Sequence, residues 1–220
     1  MIDPSFEGRR AFILENTRLQ IPPHTPELKL HLADEITPIW KMTEEALAEI
    51  GLPPPFWAFA WAGGQALARY TLDNPQVVAG KRVVDFASGS GIVGIAAMQA
   101  GATHVLAADI DGFCGAALAL NARANGVAVD FTDANLLDAP APAADVILAG
   151  DICYEKPMAD AVMAWLADAR ARGTTVLIGD PGRSYFPRSG LTKLAEYQVA
   201  TTRELEDQEV KKTSVWTLLA

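Results

Sequence analysis

The sequence predicts an α/β fold in which helices wrap a seven-stranded, mostly parallel sheet of the Rossmann-like type. From Phe56 onward, short apolar runs alternate with segments of helical length, a pattern typical of consecutive β-α units. Residues 83–94 join an apolar run to a helical segment through a glycine-rich turn. The 220 residues, half of them hydrophobic, are enough for one domain with a sizeable core.

The elements follow in order from hydrophobic runs and from the glycine, proline and asparagine residues that interrupt them. Strands are predicted over residues 82–86, 105–108, 127–131, 146–149, 175–178, 197–201 and 214–218. Helices are predicted over residues 64–72, 91–100, 112–125, 156–172 and 189–196. The last two strands are expected to form an antiparallel hairpin, so that only the last strand runs against the others.

Residues 1–55 are predicted to form an N-terminal extension, and residues 56–220 the α/β domain. The extension alternates short apolar runs with prolines and ends at three consecutive prolines, residues 53–55. One helix is predicted over residues 43–50, with Thr43 as its N-cap and Gly51 as its stop. Because the extension is additional to the α/β pattern, we expect it to pack on the core and shape the substrate entry.

The glycine-rich turn favours a cofactor with a cationic end. Gly89, Gly91 and Gly94 fit the spacing of a dinucleotide-binding loop, but such a match alone has low specificity. Asp85 ends the first strand, and a carboxylate there would repel a diphosphate held by backbone N–H groups. It suits the amino-acid end and sulfonium of S-adenosylmethionine. With seven strands and an antiparallel last strand, this predicts the class I (seven-β-strand) methyltransferase fold.

Further carboxylates follow the strands at the edge where open α/β sheets bind ligands. Asp109 directly follows the second strand, where an acid accepts hydrogen bonds from both ribose hydroxyls. Asp111 is better explained as the N-cap of the next helix. Asp133 lies just past the third strand, near the expected adenine amino group, although residues 133–135 also resemble an ordinary turn.

The fourth strand is followed by residues expected on the substrate side. The sequence Gly-Asp-Ile-Cys-Tyr at 150–154 stands where many amino-methylating enzymes carry Asn-Pro-Pro-Tyr. A carboxylate only accepts hydrogen bonds, so Asp151 suits an ammonium such as that of lysine better than a planar amide. The alternatives are that Asp151 caps the following helix and that Tyr154 is a packed aromatic residue.

Composition excludes several other classes of function. The net charge is −9 and the lysines and arginines are scattered, which argues against a nucleic-acid substrate. The apolar tracts are broken well before the roughly 20 residues that a membrane span needs. Two cysteines and three histidines without ligand spacing predict no metal site. The first ten residues lack a secretory or organellar pattern, so a cytoplasmic enzyme is expected.

Four features stand in order along the chain: Trp-Ala-Phe-Ala-Trp-Ala-Gly-Gly-Gln-Ala-Leu at 57–67, the glycine-rich turn, Gly-Asp with Tyr at 150, 151 and 154, and Ile-Gly-Asp-Pro-Gly-Arg at 178–183. Together they resemble the motifs of the seven-β-strand protein-lysine methyltransferases, and among these the group that acts on the β-subunit of electron transfer flavoprotein. Residues 16–19 and 30–35 are also similar to that group, so the resemblance covers nearly the whole chain.

The resemblance implies an assignment for each site residue. The Asp-x-x-Tyr signature of the family maps onto Asp151 and Tyr154, which would hold the acceptor lysine. Related members carry tryptophan at the adenine-side position where this chain has Asp133. The eukaryotic relative is mitochondrial, whereas this chain is expected to be a bacterial relative in the cytosol. The implied contacts to S-adenosylmethionine are Trp61, Gly89, Ser90, Gly91, Asp109 and Gly150.

Other functions remain open at the level of sequence. The chain could methylate a small amine or another protein, such as a ribosomal protein. A fold that serves only as an interaction module is the non-enzymatic alternative, although Asp109, Asp151 and Tyr154 argue against it. An NAD-dependent oxidoreductase is the remaining possibility, because the glycine spacing alone does not exclude it.

Overall fold

The computed structural model describes residues 2–34, 37, 39, 42, 44–49, 51–201 and 209–219. In chain order, its strands are β1 (Arg18–Gln20), β2 (Leu30–Leu32), β3 (Arg82–Phe86), β4 (His104–Ala108), β5 (Asp130–Thr132), β6 (Val146–Gly150), β7 (Thr175–Asp180), β8 (Leu191–Ala200) and β9 (Val210–Leu218). Its helices are α1 (Phe6–Asn16), α2 (Glu44–Glu49), α3 (Ala62–Asp73), α4 (Ile92–Gln99), α5 (Gly112–Ala124) and α6 (Lys156–Ala171). Short 3₁₀ helices cover Phe56–Ala58, Pro75–Val77 and Leu136–Asp138.

Seven of the strands form one sheet in the order β5-β4-β3-β6-β7-β9-β8. Neighbours from β5 to β7 are parallel, whereas β9 runs antiparallel to both β7 and β8. This confirms the predicted class I methyltransferase fold, with one antiparallel strand inserted near the edge. β5 starts later than predicted, because the N–H of Val127 bonds to the carbonyl of Ala122 and completes the end of α5.

The sheet is covered on both faces, and its side chains alternate between them as strand geometry requires. Val83 and Leu148 belong to the apolar cluster formed with α3 and α4. Val84 and Ile147 belong to the cluster formed with α6 on the opposite face. The carboxyl ends of β3, β4, β6 and β7 therefore meet at one edge between two packed layers, which positions the site described below.

The helix predicted over residues 189–196 is wrong, because β8 begins at Leu191 and continues through Glu196. Nine residue pairs register β8 against β9, from Leu191 opposite Leu218 to Ala200 opposite Val210. A register shift between Lys193 and Ala195 marks a bulge in the pairing. The helix-forming residues of this segment are thus overridden by cross-strand pairing, which depends on a strand that follows later in the chain.

The N-terminal residues pack onto the sheet domain through apolar side chains and polar contacts. Leu28 and Leu30 are fully buried in the cluster that includes α3 and α4, and Ile13 of α1 is buried against residues of α5. The N–H of His31 donates to Asn121 Oδ1 at 2.7 Å, and Asn121 Nδ2 donates to the carbonyl of Ser90 at 2.8 Å. This region is therefore linked to the glycine-rich turn.

The helix predicted over residues 43–50 agrees with the described part of that segment, Glu44–Glu49, and Leu47 is buried. Thr43 and Ile50 lie outside the described residues. Helix α1 and the β1–β2 pair are additional to the predicted elements. Of the helices in the described part of the chain, none combines the length and hydropathy needed to cross a bilayer.

Candidate active site

The turn between β3 and α4 places Gly89 at the wall of a large cavity. Gly89 and Gly91 both have positive φ, 51° and 79°, which glycine adopts without steric cost. Gly91 is the N-cap of α4, and a Cβ there would collide with the side chain of Leu118. Gly91 is therefore required by the packing of α5 and lies outside the residues that line the cavity.

Asp85, predicted as a cofactor contact, lies outside the cavity lining and points toward α4. Its side chain is 1% exposed, and Oδ2 accepts a hydrogen bond from the N–H of Gly94 at 2.8 Å. Burial raises the pKa of Asp85 to about 8, although the Gly94 hydrogen bond opposes the shift. Asp85 therefore braces the first turn of α4. Ser90 is likewise buried, and its described contact is the one from Asn121 to its carbonyl oxygen.

Asp109 lies at the end of β4 and lines the cavity as predicted from its position. Its Oδ2 accepts from the N–H of Gly89 at 3.0 Å, and its Oδ1 accepts from the N–H of Asp111 at 3.1 Å. The carboxylate, which the Cys114 thiol also contacts, retains acceptor capacity for a ligand. Asp111 caps α5, because its Oδ1 accepts from the N–H of Phe113 at 2.9 Å.

Asp133, predicted as an adenine contact, is exposed and lies outside the lining of the large cavity. It lines a smaller hollow between α1 and α5 instead. The segment that follows it, residues 134–137, forms the cavity wall at this strand end. Leu136 and Leu137 present apolar surface there. Sequence reasoning missed these residues because the turn that redirects the chain after β5 leaves no specific pattern.

Asp151 lies directly after β6 in the left-handed conformation, with φ 57°. Its Oδ2 accepts from the N–H of Gly64 at 2.8 Å, and its Oδ1 pairs with an Nη atom of Arg183 at 2.8 Å. Burial raises the pKa of Asp151, whereas the Arg183 guanidinium and the N–H groups of Gly64 and Gly63 act to lower it. A Cβ at Gly63 would lie 2.6 Å from Asp151 Oδ2, so glycine at position 63 is needed for this approach.

Aromatic rings form the wall beside Asp151. The ring centroids of Phe56 and Tyr154 are 5.6 Å apart, and those of Phe56 and Trp61 are 5.9 Å apart. Trp61 Nε1 donates to the carbonyl of Phe56 at 2.9 Å, which fixes the orientation of the indole. Tyr154 is 41% exposed, and burial of its remaining surface raises its pKa. Trp61, Gly150, Asp151 and Tyr154 all line the large cavity.

Arg183 is the site residue for which sequence reasoning gave no role beyond membership of a motif. Its guanidinium carbon lies 5.7 Å from the ring centroid of Trp61 and its Nη2 pairs with Asp151. Asp180 orients the turn that carries it, because Asp180 Oδ1 accepts from the N–H groups of Gly182 and Arg183 at 2.6 and 2.8 Å. The available signal was an acid followed by Pro-Gly-Arg at a strand end.

The cavity has a volume of about 730 Å³, within the usual range for a small-molecule site. Asp109 and Gly89 line it together with apolar residues that include Phe86, Leu137 and Met158. A hydrogen-bond acceptor at the end of β4 beside an apolar slot fits a nucleoside. Among the described residues, no group of three or more His, Cys, Asp or Glu side chains is placed to hold a metal ion.

Comparison with known proteins relates this site to a family. The family model described as ribosomal protein L11 methyltransferase (PrmA) matches residues 65–174. An electron transfer flavoprotein beta subunit lysine methyltransferase from Xenopus laevis is 39% identical over 213 residues, which is 94% of this chain and 85% of that protein. The protein of the same name from Homo sapiens is 37% identical over 222 residues, covering 98% of this chain and 82% of that protein.

Among solved structures, the chain is similar to a ribosomal protein L11 methylase from Lactobacillus delbrueckii subsp. bulgaricus. The TM-score is 0.52 at 18% identity, and the match covers 74% of this chain and 81% of that one. At this level of identity the likeness concerns the fold, and it agrees with the strand order described above.

Proposed function

Because the chain belongs to the family of electron transfer flavoprotein β-subunit lysine methyltransferases, we propose that it methylates lysine side chains of that subunit. It is an enzyme that uses S-adenosylmethionine. The observation that carries the proposal is the single cavity that joins Asp109 beyond β4 to Asp151 beyond β6 through an aromatic wall. One end of this cavity suits the cofactor, and the other suits an amine.

The chain's own residues fit the cofactor at the end of β4. Asp109 would accept hydrogen bonds from ribose hydroxyls, and Gly89 lets the chain pass close to the ligand because it adds no side chain there. Leu136 and Leu137 would pack on the adenine. Bound S-adenosylmethionine supplies a methyl group that a neutral amine nitrogen attacks in line, as the sulfur leaves with the electron pair of the broken bond.

The amine side must present a neutral nitrogen in a fixed position. An unperturbed lysine has a pKa near 10.4, so deprotonation at pH 7 costs about 4.6 kcal/mol. A partly desolvated channel lowers this cost because burial disfavours the charged form. Phe56, Trp61 and Tyr154 would supply such a channel, and Asp151 at its base would orient the nitrogen.

A second candidate substrate is a ribosomal protein, and the match of residues 65–174 to the L11 methyltransferase family favours it. That match spans α3 to α6, which contain the cofactor side of the cavity. The relatives that match along 94% or more of this chain are named for the flavoprotein subunit. The full-length similarity therefore supports the flavoprotein β-subunit as the first choice.

Transfer of a labelled methyl group distinguishes these candidates. We expect the enzyme with labelled S-adenosylmethionine to label purified electron transfer flavoprotein β-subunit and to leave ribosomal protein L11 unlabelled. Calorimetric titration with S-adenosylmethionine and with NAD, as the cofactor control, should give binding of the former alone. Label on L11 but none on the β-subunit would make L11 the preferred substrate.

A further inference from the structure

The guanidinium of Arg183 pairs with the carboxylate of Asp151 beside the aromatic wall, and both residues line the cavity. One Nη atom lies 2.8 Å from Asp151 Oδ1, and the guanidinium carbon lies 5.7 Å from the centroid of Trp61. The side chains of Arg183 and Asp151 are 20% and 11% exposed, so the pair is largely shielded from water. Such a pair interacts more strongly than an ion pair on the surface.

Asp151 already has a described partner on each oxygen. Oδ1 pairs with Arg183, and Oδ2 accepts from the N–H of Gly64 in the first turn of α3. A helix N-terminus carries partial positive charge, so it adds to the compensation that Arg183 provides. The carboxylate therefore meets an approaching lysine with its negative charge balanced by the protein.

This balance matters because Asp151 alone would oppose the reaction. A carboxylate near an amine favours the ammonium form and raises its pKa, and the ammonium has no lone pair with which to attack. A nearby fixed cation has the opposite effect and is a known means of activating a lysine amine. The ion pair can thus keep Asp151 as a positioning group without stabilising the unreactive protonation state.

Other charged groups around the pair come from each element that packs against it. Burial raises the pKa of Asp180, at the end of β7, to about 7, and that of Cys153, after β6, to about 12. Burial with the charges of Glu155 and Asp109 raises the pKa of Tyr154. The positive charge of Arg183 acts on Asp180 as well, where it opposes the rise in pKa. Asp180 also fixes the Arg183 backbone through the two hydrogen bonds to its Oδ1.

We propose that Arg183 is a positioning residue that neutralises Asp151 and so keeps the acceptor lysine in its neutral, reactive form. The proposal deepens the assignment of this site and rests on the proposed lysine methylation. It predicts that the pH dependence of methyl transfer, rather than its maximal rate alone, depends on the charge at position 183.

The test is the pH profile of kcat at saturating S-adenosylmethionine and β-subunit, from about pH 6.5 to about pH 9.5, because kcat reports ionisations in the enzyme–substrate complex. For Arg183→Gln we expect the rising limb of the kcat profile to shift to higher pH by about one unit. Activity near pH 7 then falls about tenfold, and the difference from the wild type decreases as the pH rises. Arg183→Lys keeps the charge and should keep the limb of the wild type. Arg82→Gln is the matched control, because Arg82 begins β3 and lies at the end of the sheet away from the site.

Two further variants, one with the opposite shift and one that restores the wild-type profile, keep the test independent of a folding defect in Arg183→Gln. Asp151→Asn leaves Arg183 uncompensated, so its limb should move to lower pH even though its maximal rate falls. Asp151→Asn combined with Arg183→Gln removes both charges, so its limb should return toward that of the wild type. Melting temperature and S-adenosylmethionine affinity, measured on each variant, show whether the fold is intact.

A constant ratio of variant to wild-type rate across the pH range would overturn the proposal, because a merely structural role lowers the rate equally at every pH. A limb that moves upward in Asp151→Asn would overturn it as well. These outcomes leave lysine methylation intact. Absence of methyl transfer by the wild type would instead overturn the proposed function.

Discussion

Asp109 holds the turn after β3 and faces the cavity at the same time. Its two oxygens accept from the N–H groups of Gly89 and Asp111, and the carboxylate retains acceptor capacity. The same side chain therefore shapes the loop and presents hydrogen-bond acceptors to a ribose. The acid at this strand end therefore has a structural and a ligand-binding role, and it does more than cap the next helix.

We predict that Asp109→Ala weakens S-adenosylmethionine binding by about 1.5–3 kcal/mol, the usual range for a hydrogen bond to a charged group. Asp130→Ala is the matched control, because Asp130 begins β5 at the opposite edge of the sheet and its side chain is 74% exposed. Isothermal titration of both variants measures the difference. Equal affinity of Asp109→Ala and the wild type would assign Asp109 to loop bracing alone.

Asp85 makes the stability of the fold depend on pH. Burial raises its pKa to about 8 in the folded protein, whereas an aspartate in an unfolded chain titrates near 3.9. Between these values the folded state binds more protons, so the free energy of unfolding falls as pH rises from about 4 to about 8. Below this window both states are protonated, and above it both are ionised.

We expect Asp85→Asn to flatten this pH dependence, because the amide oxygen can still accept from the N–H of Gly94 but does not ionise. Thermal unfolding of the wild type and the variant at about pH 5 and about pH 8 gives the two slopes. Asp160→Asn, an exposed position in α6, should keep the slope of the wild type. Parallel curves for the wild type and Asp85→Asn would contradict the assignment.

Individual site residues could be predicted from the sequence where strand position alone determines their place. Asp109 and Asp151 follow β4 and β6 directly, and the parallel sheet brings the carboxyl ends of both strands to one edge. The sequence could not predict which way the Asp85 side chain points, because this depends on the close approach of Gly94. The role of Arg183 depends on a turn held by Asp180 and on a partner 32 residues away.

At the scale of elements, α1 lies beside the cofactor side of the cavity. Arg9 lines the cavity, its guanidinium carbon is 5.6 Å from the ring centroid of Phe113, and Phe12 packs edge-on against the same ring. A Cβ at position 112 would collide with the Arg9 guanidinium, so this contact requires Gly112. Arg9 thus contacts the segment that begins with Asp109, and we propose that the N-terminal extension supports cofactor binding in addition to shaping the substrate entry.

Arg9→Ala should weaken S-adenosylmethionine binding by about 1 kcal/mol, comparable with a partly exposed cation–π contact. The adjacent Arg10→Ala is the matched control, because Arg10 pairs with Glu7 on the outer side of α1. Calorimetric titration decides between them. Identical affinities for the two variants would show that Arg9 has no part in cofactor binding. Deletion of residues 1–35 is a poorer test, because it removes the buried Leu28 and Leu30 from the core.

Elements defined by local pattern were predictable, and those defined by distant partners were not. β6 is a continuous apolar run buried on both faces, and α4 begins at a glycine turn, so each is visible in a short window. β8 exists through its pairing with β9, which no local window contains. Helix α1 begins with an N-cap, in which Ser5 Oγ accepts from the N–H of Gly8, but it buries only Ile13 and thus has a weak apolar pattern.

At the scale of the whole molecule, the net charge of −9 favours a basic partner surface. Asp109, Asp111 and Glu155 lie around or beside the cavity and add local negative charge. An acidic enzyme surface should attract lysines that lie in an exposed, positively charged segment of the proposed substrate. Such attraction between solvated charges is screened within about 8 Å at physiological ionic strength.

We therefore predict that kcat/KM for the β-subunit falls as salt is raised from about 0.05 M to about 0.3 M, mainly through slower association. The affinity for S-adenosylmethionine, which binds within the cavity, should change less and serves as the internal control. Rates measured by methyl incorporation at low substrate concentration give the salt slope. A kcat/KM independent of salt would show that the net charge has no part in substrate encounter.

Mass spectrometry of the electron transfer flavoprotein β-subunit is the direct test of the proposed lysine methylation. Purified β-subunit is incubated with the enzyme and S-adenosylmethionine, with Asp109→Ala enzyme as the control, and is then digested and sequenced by fragmentation. We expect added methyl groups on lysine side chains, and few or none with the control enzyme. An unmodified β-subunit, with methyl groups appearing instead on another protein of a cell extract, would contradict the proposed substrate.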